Sequence, residues 1–206
     1  MKKIGNVQKV GGYFVPLLIL AVLTGCGTAA KEIQVRSQID KTGVFTEVND
    51  ATPPAQGFVT LTIKASIKSH LVGYYALESR ESVHGKPSYP FLVNIDGQSV
   101  IWTVEGYKDS LPLYDKGGKT SHDPDAGEGI KYVLEKKVWL RAGVHKVFLG
   151  LSTDDYFKEV DITLKEGESP MLEFKPIYKY KTYPVRISTY LKGIKEYEAY
   201  LNNTRI

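Results

Sequence analysis

Hydrophobic and polar positions alternate with period two through the middle of the chain. Between Phe58 and Lys68, Val59, Leu61, Ile63, Ala65 and Ile67 share one face, and Thr60, Thr62, Lys64, Ser66 and Lys68 share the other. Successive strand side chains point to opposite faces, so this segment predicts a strand with one side in a core and one in water. A weaker alternation over Ile33–Ile39 predicts a first strand, with Ile33, Val35 and Ser37 opposite Gln34, Arg36 and Gln38. Asp96-Gly97 is a dipeptide that tolerates the positive φ angles of a type I′ turn. A two-residue loop there pairs Ile95 with Gln98, Val93 with Val100 and Phe91 with Trp102, all on one face. Pattern and turn thus specify the same register.

Further strands are expected over Ile130–Leu140, Val144–Leu151, Val160–Leu164 and Leu172–Ile177, with Arg141-Ala142-Gly143 as a tight turn between the first two. Near the end, Tyr190, Leu191, Ile194, Tyr197 and Leu201 fall on one helical stripe, and Thr189 is a candidate N-cap. Many short strands with glycine-containing turns predict an all-β fold, an antiparallel β-sandwich closed by a short C-terminal helix. Four segments follow: residues 1–25 as a leader, 26–57 as a tether with a first strand, 58–178 as the sandwich, and 179–206 as a basic-aromatic segment and helix.

The amino terminus has a different pattern. Lys2, Lys3 and Lys9 precede the apolar run Tyr13–Leu23, and the first acidic residue is Glu32. The run is shorter than the about 20 residues a spanning helix needs, and it contains Pro16. A charged start followed by a short apolar stretch predicts a targeting signal rather than a permanent span. Leu23-Thr24-Gly25-Cys26 follows and resembles the lipobox of bacterial lipoproteins. The resemblance implies cleavage between Gly25 and Cys26, diacylglycerol on the Cys26 thiol and acylation of the new amine. Cys26 is the only cysteine, so the chain has no internal disulfide, thiolate zinc site or thiol nucleophile beyond it. Two or three acyl chains, at about 0.8 kcal/mol per buried methylene, hold a protein stably at a membrane. The expected location is the cell envelope. In a host with two membranes it is the outer one, because Gly27 is not the Asp that retains such proteins at the inner membrane.

Charge changes with the leader. The whole chain has 27 basic and 23 acidic side chains. Residues 1–25 hold three lysines and no acid, so the remainder carries 24 against 23, a net of +1. Bulk charge therefore gives no reason to expect a nucleic-acid partner.

Several strand motifs are similar to those of PEGA-type domains, small extracytoplasmic β-sandwich modules. They are Val93-Asn94-Ile95-Asp96-Gly97, the run from Leu140 to Val147, Tyr156, the Val160–Leu164 strand and Gly167. The resemblance spans roughly residues 90–175 and implies an immunoglobulin-like or PEGA-like sandwich without catalytic residues. The chain departs from that family in lacking its proline-rich opening and in a long insertion between Gly97 and the Leu140 strand.

Two clusters are candidates for binding. The first lies in the insertion: Asp115, Asp123, Asp125 and Glu128, with His122 among them. Ca²⁺ takes six to eight oxygens and favours such loops. The spacing does not follow an EF-hand and Pro124 interrupts it, so a solvated loop is the favoured reading and Ca²⁺ the alternative. The second is the aromatic-basic stretch Tyr178, Lys179, Tyr180, Lys181 and Tyr183. Its tyrosines could stack on sugar rings and its lysines attract phosphates, or the same residues could pack and protect a sheet edge. The histidines His70, His84, His122 and His145 show neither HxxxH nor HxH spacing, and no GxSxG motif is present. His145 is expected to be a satisfied, partly buried side chain. The sequence therefore predicts a non-enzymatic, lipid-anchored module that binds or scaffolds other envelope components, or alternatively binds glycan or another anionic envelope polymer, with an enzyme as the third reading. No cofactor is expected beyond the covalent lipid.

Overall fold

A computed structural model describes residues 28–38, 40–48, 54–119, 121–179 and 187–206. The segment expected to be a leader, the lipobox-like residues through Cys26, and Tyr180, Lys181 and Tyr183 lie outside these residues. Among the described residues no helix is long and apolar enough to cross a membrane.

Among the described residues the fold is all-β apart from one helix and one 3₁₀ turn. The strands are β1 (Phe45–Val48), β2 (Phe58–Ser69), β3 (Ser88–Ile95), β4 (Gln98–Leu111) and β5 (Gly127–Arg141). They continue with β6 (Gly143–Leu151), β7 (Tyr156–Leu164), β8 (Met171–Tyr178), β9 (Ile194–Leu201) and β10 (Thr204–Arg205). They lie in the order β10-β9-β8-β2-β5-β4-β3-β6-β7, with β1 also on β5, in one curled sheet that forms a half-barrel. The sheet is mixed, because β2 and β8 run parallel and the other neighbours are antiparallel.

β2 buries Val59, Leu61, Ile63, Ala65 and Ile67, as its alternation predicts. The β3–β4 hairpin has the expected register, with Ile95 opposite Gln98, Val93 opposite Val100 and Phe91 opposite Trp102. Its turn residues Asp96 and Gly97 take φ of 50° and 99°, the positive values a type I′ turn requires. β4 joins the two halves of the molecule. Its first part, Gln98–Glu105, pairs with β3, and its second, Gly106–Leu111, pairs with β5. Where β4 leaves β5, β1 takes its place on that edge and sends Phe45 into the core beside Trp102. Much of the long insertion is thus accounted for by extended β4 and β5.

Three expectations are corrected. Where a first strand is expected over Ile33–Ile39, the described residues give a helix instead: α1, Thr28–Arg36, which occupies the first part of the segment expected as a tether. Ala29, Ala30, Lys31 and Glu32 favour helix, and a Glu32–Arg36 ion pair at 2.8 Å spans one turn. α1 presses Ile33 onto Leu92 and Phe148, while Val35 stays exposed. Asn94 Nδ2 donates to the Arg36 carbonyl at 2.8 Å and Ser99 Oγ donates to that of Ser37 at 2.9 Å, so carbonyls at the helix end are paired.

Arg141-Ala142-Gly143 makes a tight turn, a single-residue bend at Ala142, that carries the chain from β5 to β6, which pairs with β3 and β7 and not with β5. The C-terminal helix is replaced by a 3₁₀ turn (Thr189–Lys192), then Gly193 and strand β9. Residues after 179 are not a separate tail either, since Tyr190, Ile194, Tyr197 and Ala199 belong to the same core as β2 to β8.

Candidate functional site

β2 ends at Ser69 and β3 begins at Ser88, and the loop between them is drawn together by one glycine. Gly85 has φ of +70°, and a Cβ there would lie 2.4 Å from the Val72 amide nitrogen and 2.7 Å from the His70 carbonyl oxygen. Only glycine allows that approach. Its amide donates to Ser69 Oγ at 2.9 Å, fixing the pinch to the end of β2. His84, the residue before, is thereby held against His70, with ring centroids 5.2 Å apart and planes at 82°.

Glu78 reaches in from the middle of the same loop. Its Oε1 lies 3.3 Å from His70 Nε2 and 3.5 Å from His84 Nδ1, and accepts a hydrogen bond from Ser82 Oγ at 2.5 Å. The far side of each ring is also engaged. His70 Nδ1 lies 2.9 Å from the Leu71 carbonyl oxygen, and His84 Nε2 lies 3.2 Å from Asp154 Oδ1. Asp154 comes from the β6–β7 turn and also accepts the Tyr89 hydroxyl. Burial works to lower the His84 pKa, but the hydrogen bond and charge of Asp154, with the Glu78 carboxylate, outweigh it and raise the pKa above the ordinary imidazole value. Burial and the Asp154 charge both push the Tyr89 hydroxyl well above its usual range, so it remains a donor.

These groups line a cavity of about 680 Å³. Its remaining wall is largely apolar and aromatic, drawn from Ile67 on β2, Tyr178 on β8, Tyr190 and Leu191 on the 3₁₀ turn, and Ile194 on β9. Tyr75 bridges the mouth, its hydroxyl donating to the Leu191 carbonyl at 2.8 Å. Lys68 lies at the wall, fully enclosed, with Nζ bonded to Asp109 Oδ2 and to the carbonyls of Asp125 and Gly127.

The carboxylates of the 115–129 loop serve other partners. Asp115 Oδ1 accepts the amides of Gly117 and Lys119, and Asp123 Oδ1 accepts that of Asp125. Asp125 pairs with Lys131 at 2.7 Å, and Glu128 is exposed, as is His122. Among the described residues, only His70, Glu78 and His84 bring three metal-ligating atoms within 4.8 Å of one another. In the aromatic-basic stretch, Lys179 is exposed but Tyr178 is buried, its hydroxyl accepting the Lys68 amide at 2.9 Å. Tyr178 therefore lines the cavity and offers no ring to the outer surface. His145 is buried and satisfied as expected, 2.7 Å from both Asp96 Oδ2 and the Arg141 carbonyl.

Sequence reasoning passed over His70, Glu78, His84 and Asp154. It tested histidine pairs at helical and strand spacings, whereas His70, Glu78 and His84 meet on a loop closed by Gly85 and Asp154 joins them from the β6–β7 turn. The usable signal was two histidines and a glutamate inside one stretch without period, beside a glycine. No known protein family, curated protein or solved structure matches this chain.

Proposed function

We propose that the protein is a lipid-anchored, non-enzymatic module of the cell envelope that binds a small, largely apolar ligand in the cavity between the β2–β3 loop and the C-terminal segment. The cavity carries the reading. Its volume of about 680 Å³ falls in the range of ligand pockets, roughly 300–1,000 Å³, which are mostly apolar with a few convergent polar groups. The histidines, Glu78 and Asp154 are those groups. The anchor rests on the short apolar leader and on Leu23-Thr24-Gly25-Cys26.

Two measurements test the two halves of the reading. The environment-sensitive dye 1-anilinonaphthalene-8-sulfonate is expected to saturate at one site on the folded protein, and Ala76→Trp, which fills the cavity from its lining, is expected to weaken that binding. Equal binding by both proteins removes the cavity from the account. For the anchor, Cys26→Ala is expected to leave the protein unprocessed or in the soluble fraction. A variant still processed and membrane-bound ends that half.

A second reading, a docking module for another envelope protein, is favoured by the exposed apolar side chains Val72, Tyr74, Tyr75 and Leu77 on the same loop. Crosslinking in intact cells, with loss of the product on Leu77→Asp, separates it from the first. The glycan alternative keeps Lys179 but loses the Tyr178 ring. We also read the half-barrel as an opened relative of the immunoglobulin-like or PEGA-like sandwich. What supports this is the approach of its far strands: the Tyr197 amide of β9 donates to Tyr156 Oη of β7 at 2.7 Å.

A further inference from the structure

We propose that His70, Glu78 and His84 bind one divalent transition-metal ion of zinc-like ligand preference, with Asp154 and the Leu71 carbonyl orienting the two imidazoles. The site goes beyond the ligand-cavity reading and is tested without any ligand.

Hydrogen-bond direction carries the first part of the argument. A carbonyl oxygen only accepts, so the neutral His70 ring carries its hydrogen on Nδ1, toward Leu71, and presents a lone pair at Nε2. A carboxylate likewise only accepts, so a neutral His84 ring carries its hydrogen on Nε2, toward Asp154, and presents a lone pair at Nδ1. Both lone pairs then face Glu78 Oε1, itself an acceptor. Three such atoms turned toward one another call for positive charge among them, a proton or a bound cation, and only a cation engages all three lone pairs at once. Metal-binding histidines have this arrangement: the second ring nitrogen donates to a carboxylate or a backbone carbonyl, which sets the tautomer and aims the lone pair at the ion.

Distance carries the second part. With zinc–ligand bonds of about 2.0–2.2 Å, the ligand atoms of a tetrahedron lie roughly 3.3–3.6 Å apart. The two separations from Glu78 Oε1 are 3.3 and 3.5 Å. No bond to Glu78 needs the loop to move far, and Gly85 and Ser82 already hold it in place.

Ligand type carries the third. Two imidazole nitrogens and one carboxylate oxygen suit Zn²⁺, Co²⁺, Ni²⁺ and Cu²⁺, while Ca²⁺ and Mg²⁺ require oxygens. Three protein ligands leave a fourth position for solvent or another donor, and all three line the cavity.

The test is calorimetric titration of Zn²⁺ into the full chain carrying Cys26→Ser, so that no thiol competes, after treatment with chelator. One equivalent is expected to bind, with Ca²⁺ binding at least 100-fold more weakly. His84→Ala and Glu78→Gln are expected to lower the affinity by more than Asp154→Asn, which is expected to cost about 10–100-fold as an orienting partner. His122→Ala is expected to leave it unchanged. Co²⁺ supplies a readout on the unsubstituted site, since four-coordinate Co²⁺ absorbs strongly in the visible and six-coordinate Co²⁺ weakly. The proposal is overturned by absence of stoichiometric Zn²⁺ binding, by His84→Ala binding as tightly as the parent, or by a weak six-coordinate Co²⁺ spectrum. Should a variant fail to fold, the Zn²⁺ stoichiometry and Co²⁺ spectrum of the parent decide alone.

Discussion

Lys68 Nζ and Asp109 Oδ2 lie 2.8 Å apart, with the lysine side chain wholly excluded from solvent. The other two ammonium hydrogens are directed to the carbonyls of Asp125 at 2.6 Å and Gly127 at 2.7 Å, so all three donors of the group are used. One side chain of β2 thereby holds β4 and the start of β5. Lys68→Met leaves Asp109 without its counter-charge and is expected to destabilise the protein by about 3–5 kcal/mol. Replacing Asp109 by Leu in the same protein is expected to restore part of that loss, because an apolar pair removes the orphaned charge. Denaturant midpoints of the single and double variants check both.

Gly85 is expected to be irreplaceable for geometric reasons. Alanine there adds a Cβ within 2.4 Å of backbone and holds a left-handed conformation that costs about 1–2 kcal/mol even in open space. Gly85→Ala should lower the melting temperature, and because His84 follows the backbone it should weaken Zn²⁺ binding as well. A variant that loses stability but keeps full metal affinity would show that the pinch does not position His84.

Tyr197 separates packing from hydrogen bonding. Its side chain is fully buried, and its hydroxyl donates to the Ser66 carbonyl at 2.7 Å. Tyr197→Phe keeps the ring and is expected to cost about 1 kcal/mol. Tyr197→Ala also empties the space, and about 3–5 kcal/mol is expected. Similar losses in the two unfolding curves would contradict the placement of Tyr197 in the core.

Glu47 supplies a pH dependence. The hydrogen bond from Lys136 is the main influence holding its carboxyl below the usual range, with the Trp102 indole N–H adding to it against a smaller opposing effect of burial. A lowered folded pKa means the stabilisation is complete above the unfolded value of about 4.3 and disappears as pH falls through the folded value. Glu47→Gln is therefore expected to be less stable than the parent at pH 7, with the gap closing on acidification below about pH 4. A gap independent of pH would assign the effect to shape instead of charge.

Much of the sheet was legible because its signals are local. The β2 alternation and the Asp96-Gly97 turn each sit within a dozen residues, and the structure keeps the apolar face of β2 and the hairpin register, while Lys68 on the polar face of β2 is enclosed instead of solvated. β9 was misread for an equally specific reason. The pairing shifts between Ile177 and Tyr178, so that Tyr178 faces Ile194 while Ile177 faces Glu196, leaving Lys195 as an extra residue. That bulge lets Ile194 and Tyr197, three apart, both point into the core, and a step of three reads as helical. The α1 region failed the other way: three alternating residues are too few to outweigh strong helix formers. The cavity cluster left no periodic trace, because contacts made by a loop depend on where its ends are held and not on spacing along it. The lipobox resemblance concerns residues outside those described.

The parallel pairing of β2 with β8 sets the order in which the molecule can be completed. Thr62 lies opposite Met171, and β8 is flanked in turn by β9. A strand emerging early from the ribosome thus waits for a neighbour made much later, and no hairpin can bring the two together. Such distant pairings form slowly and leave an open strand edge in the interval. Until residues 190–197 have arrived, the apolar face of β2 has no Tyr190, Ile194 or Tyr197 to cover it.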